Sequence, residues 1–249
     1  MLRVGLFFDY DGVLAPITRD PLGNSVSPNM RRAIEALSKH YAISIVSGRD
    51  CPYLHERVPG LLGYACVFGL EIHGGGYIVL DREVYFGSKS THISNIYANL
   101  GNILKGKFGA IYGRTLGGTP LGLSVYWLLE EGRPKGVDVL LEEAKRAGLY
   151  VSNISKWGNF AEYVDIHLTR RTKQESVRIL KTLINIDRVI YFGDAESDFP
   201  AFNEADVSVF IKHQYNTVPN EINVDYVVDY NDLPLWILRN INKISSSMK

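Results

Sequence analysis

Leu2-Arg3-Val4-Gly5-Leu6-Phe7-Phe8-Asp9-Tyr10-Asp11-Gly12 is the stretch on which the fold turns. Leu2 to Phe8 is nearly all apolar, which predicts a short strand covered on both faces. It runs directly into two carboxylates two residues apart, then a glycine. Strand ends of parallel sheets are where open α/β folds bind ligands. Two anions this close repel each other, so a shared proton, a cation or hydrogen bonds must compensate. Mg²⁺ meets that need: it is a hard ion that takes carboxylates and keeps positions open for a substrate phosphate. An Asp-rich turn with glycine is also common in ordinary loops, so the stretch takes its meaning from the rest of the chain.

Outward from it, strands and helices alternate. Ser27-Pro28 predicts a helix start, with Ser as N-cap and Pro in the first turn. Ala42–Val46 and Ala65–Phe68 read as buried strands, and Asp50-x-Pro52 as another helix start. From about 91 to 164 the order changes to helix, strand, strand, twice over. Helices are expected at 92–105 and 134–147, and strands near 109–114, 121–129, 149–153 and 158–164. The βα alternation then returns. Thr172-x-x-Glu175 is a capping-box pattern opening a helix to about Ile184. Arg188–Phe192, Ser208–Ile211 and Tyr226–Val228 read as strands, Leu233–Ile244 as a closing helix, and residues 245–249 as a frayed tail. The expected fold is therefore α/β: a Rossmann-like parallel-sheet core, residues 1–87 and 168–249, with an inserted α+β (αββαββ) cap domain over 88–167.

Three further strand ends or helix starts carry polar groups. Tyr191-Phe192-Gly193-Asp194 with Asp198 repeats the first arrangement. If the two strands are adjacent, their carboxylates form an oxygen-rich metal cage; the plainer reading is helix-start residues favoured by the dipole. Ile45-Val46-Ser47-Gly48-Arg49 puts a hydroxyl and the following amide of Gly48 where phosphate oxygens could sit. Lys173 opens the helix capped by Thr172, where a cation is disfavoured by about 0.3–1 kcal/mol unless an anion offsets it. Arg170 and Arg171 are rival phosphate ligands or a solvated basic loop. The six histidines are scattered and read as surface or core.

The 27 basic and 27 acidic residues balance, which gives no electrostatic reason to expect nucleic acid or an anionic membrane as partner. No apolar run is long enough for a spanning helix, and the N-terminal run lacks a cleavage region. Two cysteines, Cys51 and Cys66, without paired-motif spacing, fit a reducing cytoplasm better than a disulfide scaffold. There is no G-x-S-x-G, P-loop or G-x-G-x-x-G; His73-Gly74-Gly75-Gly76 reads as a turn before Tyr77–Leu80. Oligomeric state is not encoded in any of these features.

Taken together and in order, the motifs resemble the haloacid dehalogenase superfamily, and within it the trehalose-6-phosphate phosphatases. Asp9-x-Asp11-Gly12 matches the first motif, Ser47 the second, Lys173 the third, and Gly193-Asp194 with Asp198 the fourth. The resemblance implies a Mg²⁺-dependent phosphatase of a small sugar phosphate. Asp9 is its nucleophile, and Asp11 its general acid/base. Asp9, Asp11 (through its carbonyl), Asp194 and Asp198 supply the metal site, and Ser47, Gly48 and Lys173 hold phosphate. It departs from the family at Ala195, Ser197, Phe199 and Gln174, and no His-Tyr-Arg stretch is recognisable around Tyr126-Trp127. Asp165-x-His167 stands where Glu-x-Arg-Pro is usual, which makes Asp165 the candidate sugar ligand. Mannosyl-3-phosphoglycerate and sucrose phosphate are alternative substrates; a phosphomutase and a non-catalytic ligand-binding relative are alternative functions.

Overall fold

The computed structural model describes residues 2–218 and 222–248. The first part of the chain forms β1 (Val4–Phe8), α1 (Pro28–Leu37), β2 (Ala42–Val46), α2 (Cys51–Arg57), β3 (Gly63–Cys66), β4 (Glu71–Gly74) and β5 (Tyr77–Leu80). The middle forms α3 (Arg82–Phe86), α4 (Lys89–Ile103), β6 (Gly109–Arg114), β7 (Pro120–Leu128), α5 (Val137–Arg146), β8 (Tyr150–Val151), β9 (Ser155–Trp157) and β10 (Ala161–His167). The last part forms α6 (Lys173–Leu183), β11 (Arg188–Gly193), α7 (Phe199–Phe202), β12 (Val207–Lys212), β13 (Tyr226–Asp229) and α8 (Leu233–Ser247). Contacts divide the chain into two compact units, residues 1–49, 53–79 and 171–249, and residues 50–52 and 80–170.

The first unit is built on an eight-stranded sheet in the order β13-β12-β11-β1-β2-β3-β4-β5. From β13 to β3 every pairing is parallel. β1 lies between β11 and β2, its Phe8 in register with Phe192 and Ile45. The apolar run of β1 is buried on both faces, Leu6, Phe7 and Phe8 having no exposed surface. Ser27 caps α1 through the Met30 N–H at 3.2 Å, and Met30, Ala33, Ile34 and Leu37 form its buried stripe. α6 has the expected capping box and buries Val177 and Leu180 in a cluster with Phe7, Val46 and Tyr191. Gly75 and Gly76, both at positive φ, make the two-residue turn from β4 to β5.

In the second unit, β6-β7-β10-β8 form an antiparallel sheet and β9 pairs with β10. α4 packs on β7 and α5 on β8. Trp127 is buried and its Nε1 donates to Glu162 Oε2, its cross-strand partner, at 3.2 Å. No helix among the described residues is long and apolar enough to cross a membrane.

Four expectations change. The strand expected at 65–68 runs instead at Gly63–Cys66, and Val67–Gly69 is a 3-10 turn with Val67 and Phe68 at φ 46° and 57°. The reason is tertiary: the Val67 and Phe68 N–H groups donate to the Arg49 and Ser47 carbonyls at 2.9 and 3.0 Å. The strand expected near 158–164 runs at Ala161–His167, and an additional strand, β9, precedes it, because Gly158, at φ 58°, turns β9 back onto β10. The tail does not begin at Ser245: α8 continues to Ser247, the three serine hydroxyls bonding the carbonyls of Asn242 and Ile244. Finally, Cys51 and Cys66 are disulfide-bonded. Spacing alone could not show that the pair meets, and the bridge removes the cysteine argument for a reducing cytoplasm.

Candidate active site

The parallel register brings three polar strand ends to one edge of the sheet. The Asp9 N–H still belongs to the ladder, donating to the Phe192 carbonyl at 2.9 Å, and the Phe8 and Phe192 rings stack at 4.3 Å. Asp9 therefore leaves β1 beside Gly193-Asp194, the end of β11. This is the point where strand order reverses, β1 being flanked by an early strand on one side and a late one on the other. Gly12 turns the chain at φ 79°, and a Cβ there would collide with the Asp194 carboxylate. Glycine is thus required both by conformation and by the close approach of the two loops.

Lys173 is only 2% exposed, and its Nζ lies 2.5 Å from Asp9 Oδ2 and 2.7 Å from Asp198 Oδ1. Burial alone would lower the Lys173 pKa, but Asp198 and Asp9 outweigh it and hold the ammonium charged. Asp9 is pushed up to about 8 by burial, with Lys173 pulling it down and Asp198 and Asp194 pushing further up. Asp194 is raised well above the usual carboxylate range by burial and by Asp198. Tyr191 is likewise raised by burial, and its hydroxyl donates to Asp198 Oδ1 at 2.6 Å.

Asp198 has both oxygens engaged: Oδ1 by Lys173 and Tyr191, Oδ2 by the N–H groups of Asp194 and Ala195, each at 3.1 Å. It ties α6 to the turn after β11 and orients Lys173 toward Asp9. Asp9, Asp194 and Asp198 nonetheless bring ligand oxygens within 4.8 Å of one another. A divalent cation fits this donor set. Buried carboxylates that are costly to ionise without a counter-charge are the environment in which a hard cation restores the charged form.

Asp11 is held at both oxygens. Arg49 donates to it through Nε at 2.6 Å and a terminal nitrogen at 3.1 Å, and Asn24 Nδ2 adds a bond at 3.1 Å. Arg49 also donates to the Pro21 carbonyl at 2.6 Å and lies 4.8 Å from the centre of the Tyr53 ring. Ser47 follows β2 with its hydroxyl 3.3 Å from the Arg49 N–H. Gly48 is exposed, and a Cβ on it would press on the Phe68 ring. Left-handed conformations cost of order 1–3 kcal/mol at non-glycine residues, more so for a β-branched Val. The strained Val67-Phe68 turn therefore braces the Ser47–Arg49 loop from below. Arg171, just before α6, pairs at 3.0 Å with Glu175 of its first turn. Asp165, on β10 of the second unit, accepts from Ser124 across the sheet, and its N–H donates to Ser152 Oγ at 2.9 Å.

Several contributors were invisible in the sequence. Arg49 stood in a recognised stretch, but its grip on Asp11 depends on β1 and β2 being neighbours. Asn24 lies in an irregular loop. His213, set aside as one of the scattered histidines, has Nε2 2.8 Å from Asp194 Oδ2. Only the position of β12 next to β11 could have revealed it.

The fold is similar to that of solved phosphatases of the haloacid dehalogenase superfamily. A structure described as a trehalose-6-phosphate phosphatase related protein matches at TM-score 0.72 and 19% identity, over 98% of this chain and 100% of that one. The C-terminal domain of the C. albicans trehalose-6-phosphate phosphatase matches at 0.64 and 17%, over 95% and 91%. A subclass IIB sugar phosphatase of the superfamily matches at 0.60 and 14%, over 96% and 99%. In sequence, part of the chain is similar to the trehalose phosphatases: the family model described as Trehalose-phosphatase matches residues 7–76, which carry Asp9, Asp11 and Ser47. Probable trehalose-phosphate phosphatase 3 of Oryza sativa subsp. japonica is 40% identical over 73 residues, 29% of this chain and 20% of that protein. Trehalose 6-phosphate phosphatase RA3 of Zea mays is 43% identical over 73 residues, again 29% and 20%. The matched stretch thus spans about a fifth of the length of these curated relatives.

Proposed function

We propose that this chain is a Mg²⁺-dependent phosphatase of a small sugar phosphate, with trehalose 6-phosphate as its substrate. The observation that supports this most is the pairing of buried Asp9 with buried Lys173 of α6, with Asp194 and Ser47 at the ends of the two strands that flank β1. Phosphate-monoester hydrolysis requires accelerations up to about 10²¹, which no single group supplies. Asp9 attacks phosphorus in line and becomes an aspartyl-phosphate. Asp11 gives a proton to the leaving sugar oxygen and takes one from the water that then cleaves the intermediate. To reach the leaving oxygen, Asp11 must exchange its Arg49 contact. Lys173 orients Asp9 and offsets charge on the transferring group, while Ser47 and the Gly48 amide hold its oxygens. Asp9, Asp194 and the Asp11 carbonyl would hold Mg²⁺, which would supply the remaining counter-charge. Asp198 is assigned to the metal site through its hold on Lys173 and the Asp194 backbone. Residues 88–167 are assigned as the cap domain, with Asp165 as a sugar ligand.

The test is a panel of p-nitrophenyl phosphate, trehalose 6-phosphate, sucrose phosphate and mannosyl-3-phosphoglycerate, each with Mg²⁺ and with chelator. Expected are hydrolysis of the generic substrate, its loss on chelation and recovery with Mg²⁺, and the highest kcat/KM for trehalose 6-phosphate. No hydrolysis of any substrate overturns the enzyme reading. A preference for another sugar overturns the substrate alone.

A further inference from the structure

His213 reaches Asp194 from outside the four motifs. It follows β12, the neighbour of β11 in the sheet. Its Nδ1 accepts the Tyr215 N–H at 3.2 Å. The proton of the neutral ring is therefore on Nε2, which donates to Asp194 Oδ2 at 2.8 Å. The turn carrying His213 is itself fixed. The His213 N–H donates to Asn216 Oδ1 at 2.9 Å, and Asn216 Nδ2 donates to the carbonyls of Asp194 at 2.8 Å and Ile211 at 2.9 Å. One short turn thus holds both ends of Asp194, its carboxylate through His213 and its backbone through Asn216. Oδ1 accepts no hydrogen bond from the described residues. Gly12 approaches the same carboxylate from the β1 side, where a Cβ would meet Oδ2.

We propose that His213 is a positioning residue that restricts Asp194 to coordination through one oxygen and thereby selects Mg²⁺ over Ca²⁺. This rests on Asp194 being a metal ligand, as assigned above. Mg²⁺ demands near-octahedral geometry with single-oxygen carboxylate ligands, whereas Ca²⁺ takes six to eight oxygens and readily uses both oxygens of one carboxylate. With Oδ2 committed to an imidazole N–H, two-oxygen coordination of Ca²⁺ would break a charge-assisted hydrogen bond. Single-oxygen coordination of Mg²⁺ leaves it intact. Hydrogen-bond partners behind a metal ligand are typically worth about 10–100-fold in metal affinity.

The experiment reads cation binding without turnover. Mn²⁺ binding to the metal-stripped full chain is followed by electron paramagnetic resonance, then displaced with Mg²⁺ or Ca²⁺. The proteins compared are wild type, His213→Ala, His213→Gln and Asp194→Asn. His213→Ala should weaken Mg²⁺ by about 10–100-fold and Ca²⁺ by less, so that the preference for Mg²⁺ falls about tenfold or more. His213→Gln, which keeps an N–H donor, should recover most of that preference. Where His213→Ala does not fold, His213→Phe keeps a ring, removes the donor and carries the same expectation. An unchanged Mg²⁺/Ca²⁺ ratio on loss of the donor overturns the proposal. Wild-type Mn²⁺ affinity in Asp194→Asn would instead remove Asp194 from the metal site, and with it the reading on which the proposal rests.

Discussion

Asp9 and Asp11 lie two residues apart in the loop after β1, yet their surroundings differ, and with them the roles proposed. Asp9 is buried against Lys173; Asp11 is gripped from the side by Arg49 and Asn24. Asp9→Asn should abolish turnover and leave no phosphorylated protein. Asp11→Asn keeps the nucleophile and should slow turnover by about 10²–10⁴-fold. Acid-quench phosphoprotein analysis checks this, and wild-type turnover in Asp9→Asn would contradict the assignment. Burial also couples Asp9 to stability. Its native pKa is raised from 3.8 to about 8. Between those values the metal-free native state holds a proton that the unfolded chain has lost. Its stabilising effect is thus complete below 3.8 and lost as pH rises through about 8. In chelator, the Tm of Asp9→Asn relative to wild type should therefore climb from pH 5 to pH 8, and Mg²⁺ should narrow the gap. A pH-independent difference would show that Asp9 is ionised throughout.

At the scale of elements, α6 links the cap of a helix to the chemistry at its first residue. Thr172 accepts the Glu175 N–H and Glu175 reaches back to the Thr172 N–H, so the helix start is held in place and Lys173 with it. Thr172→Ala should cost about 0.5–2 kcal/mol of stability, read by denaturant unfolding, while leaving Mn²⁺ binding intact. Lys173→Met fills a similar buried volume but leaves Asp9 and Asp198 without their cation, so it should cost about 3–5 kcal/mol of stability. Under conditions where it stays folded, it should still lose activity by far more than partial unfolding explains. Equal activity in Lys173→Met and wild type would show that Asp9 needs no cationic partner. The element pattern was legible for ordinary physical reasons: the apolar run of β1, the Ser27-Pro28 cap and the capping box are all local signals. The Val67-Phe68 turn was not, because its N–H groups are held by the accepting carbonyls of Arg49 and Ser47, which lie in another loop.

For the whole molecule, the proposed function raises the question of which residues would read a sugar. Asp165 lies on β10, bonded to Ser124 of β7. A sugar hydroxyl bonded to a charged acceptor is worth about 1.5–3 kcal/mol. Asp165→Ala should therefore lower kcat/KM for the sugar phosphate by about 10–100-fold, with little change for p-nitrophenyl phosphate. Equal losses on both would mark a structural role within the β7–β10 pair. No loss on either would place sugar recognition elsewhere.

The sequence by itself determined the strand-end carboxylates, the α6 cap, the helix-strand-strand order of residues 89–128 and the family resemblance, because each is written in neighbours a few residues apart. Only the tertiary structure decided that β11 and β2 flank β1, and so that Asp9, Asp194 and Ser47 share one edge. Sheet order is set by long-range packing, and no local pattern encodes it. The same holds for the Arg49 grip on Asp11, the saturation of Asp198, the His213 contact with Asp194 and the disulfide of Cys51 and Cys66. Each joins residues that meet only once the chain has crossed back over its own sheet, where burial makes a charged or polar group costly unless a partner is in place.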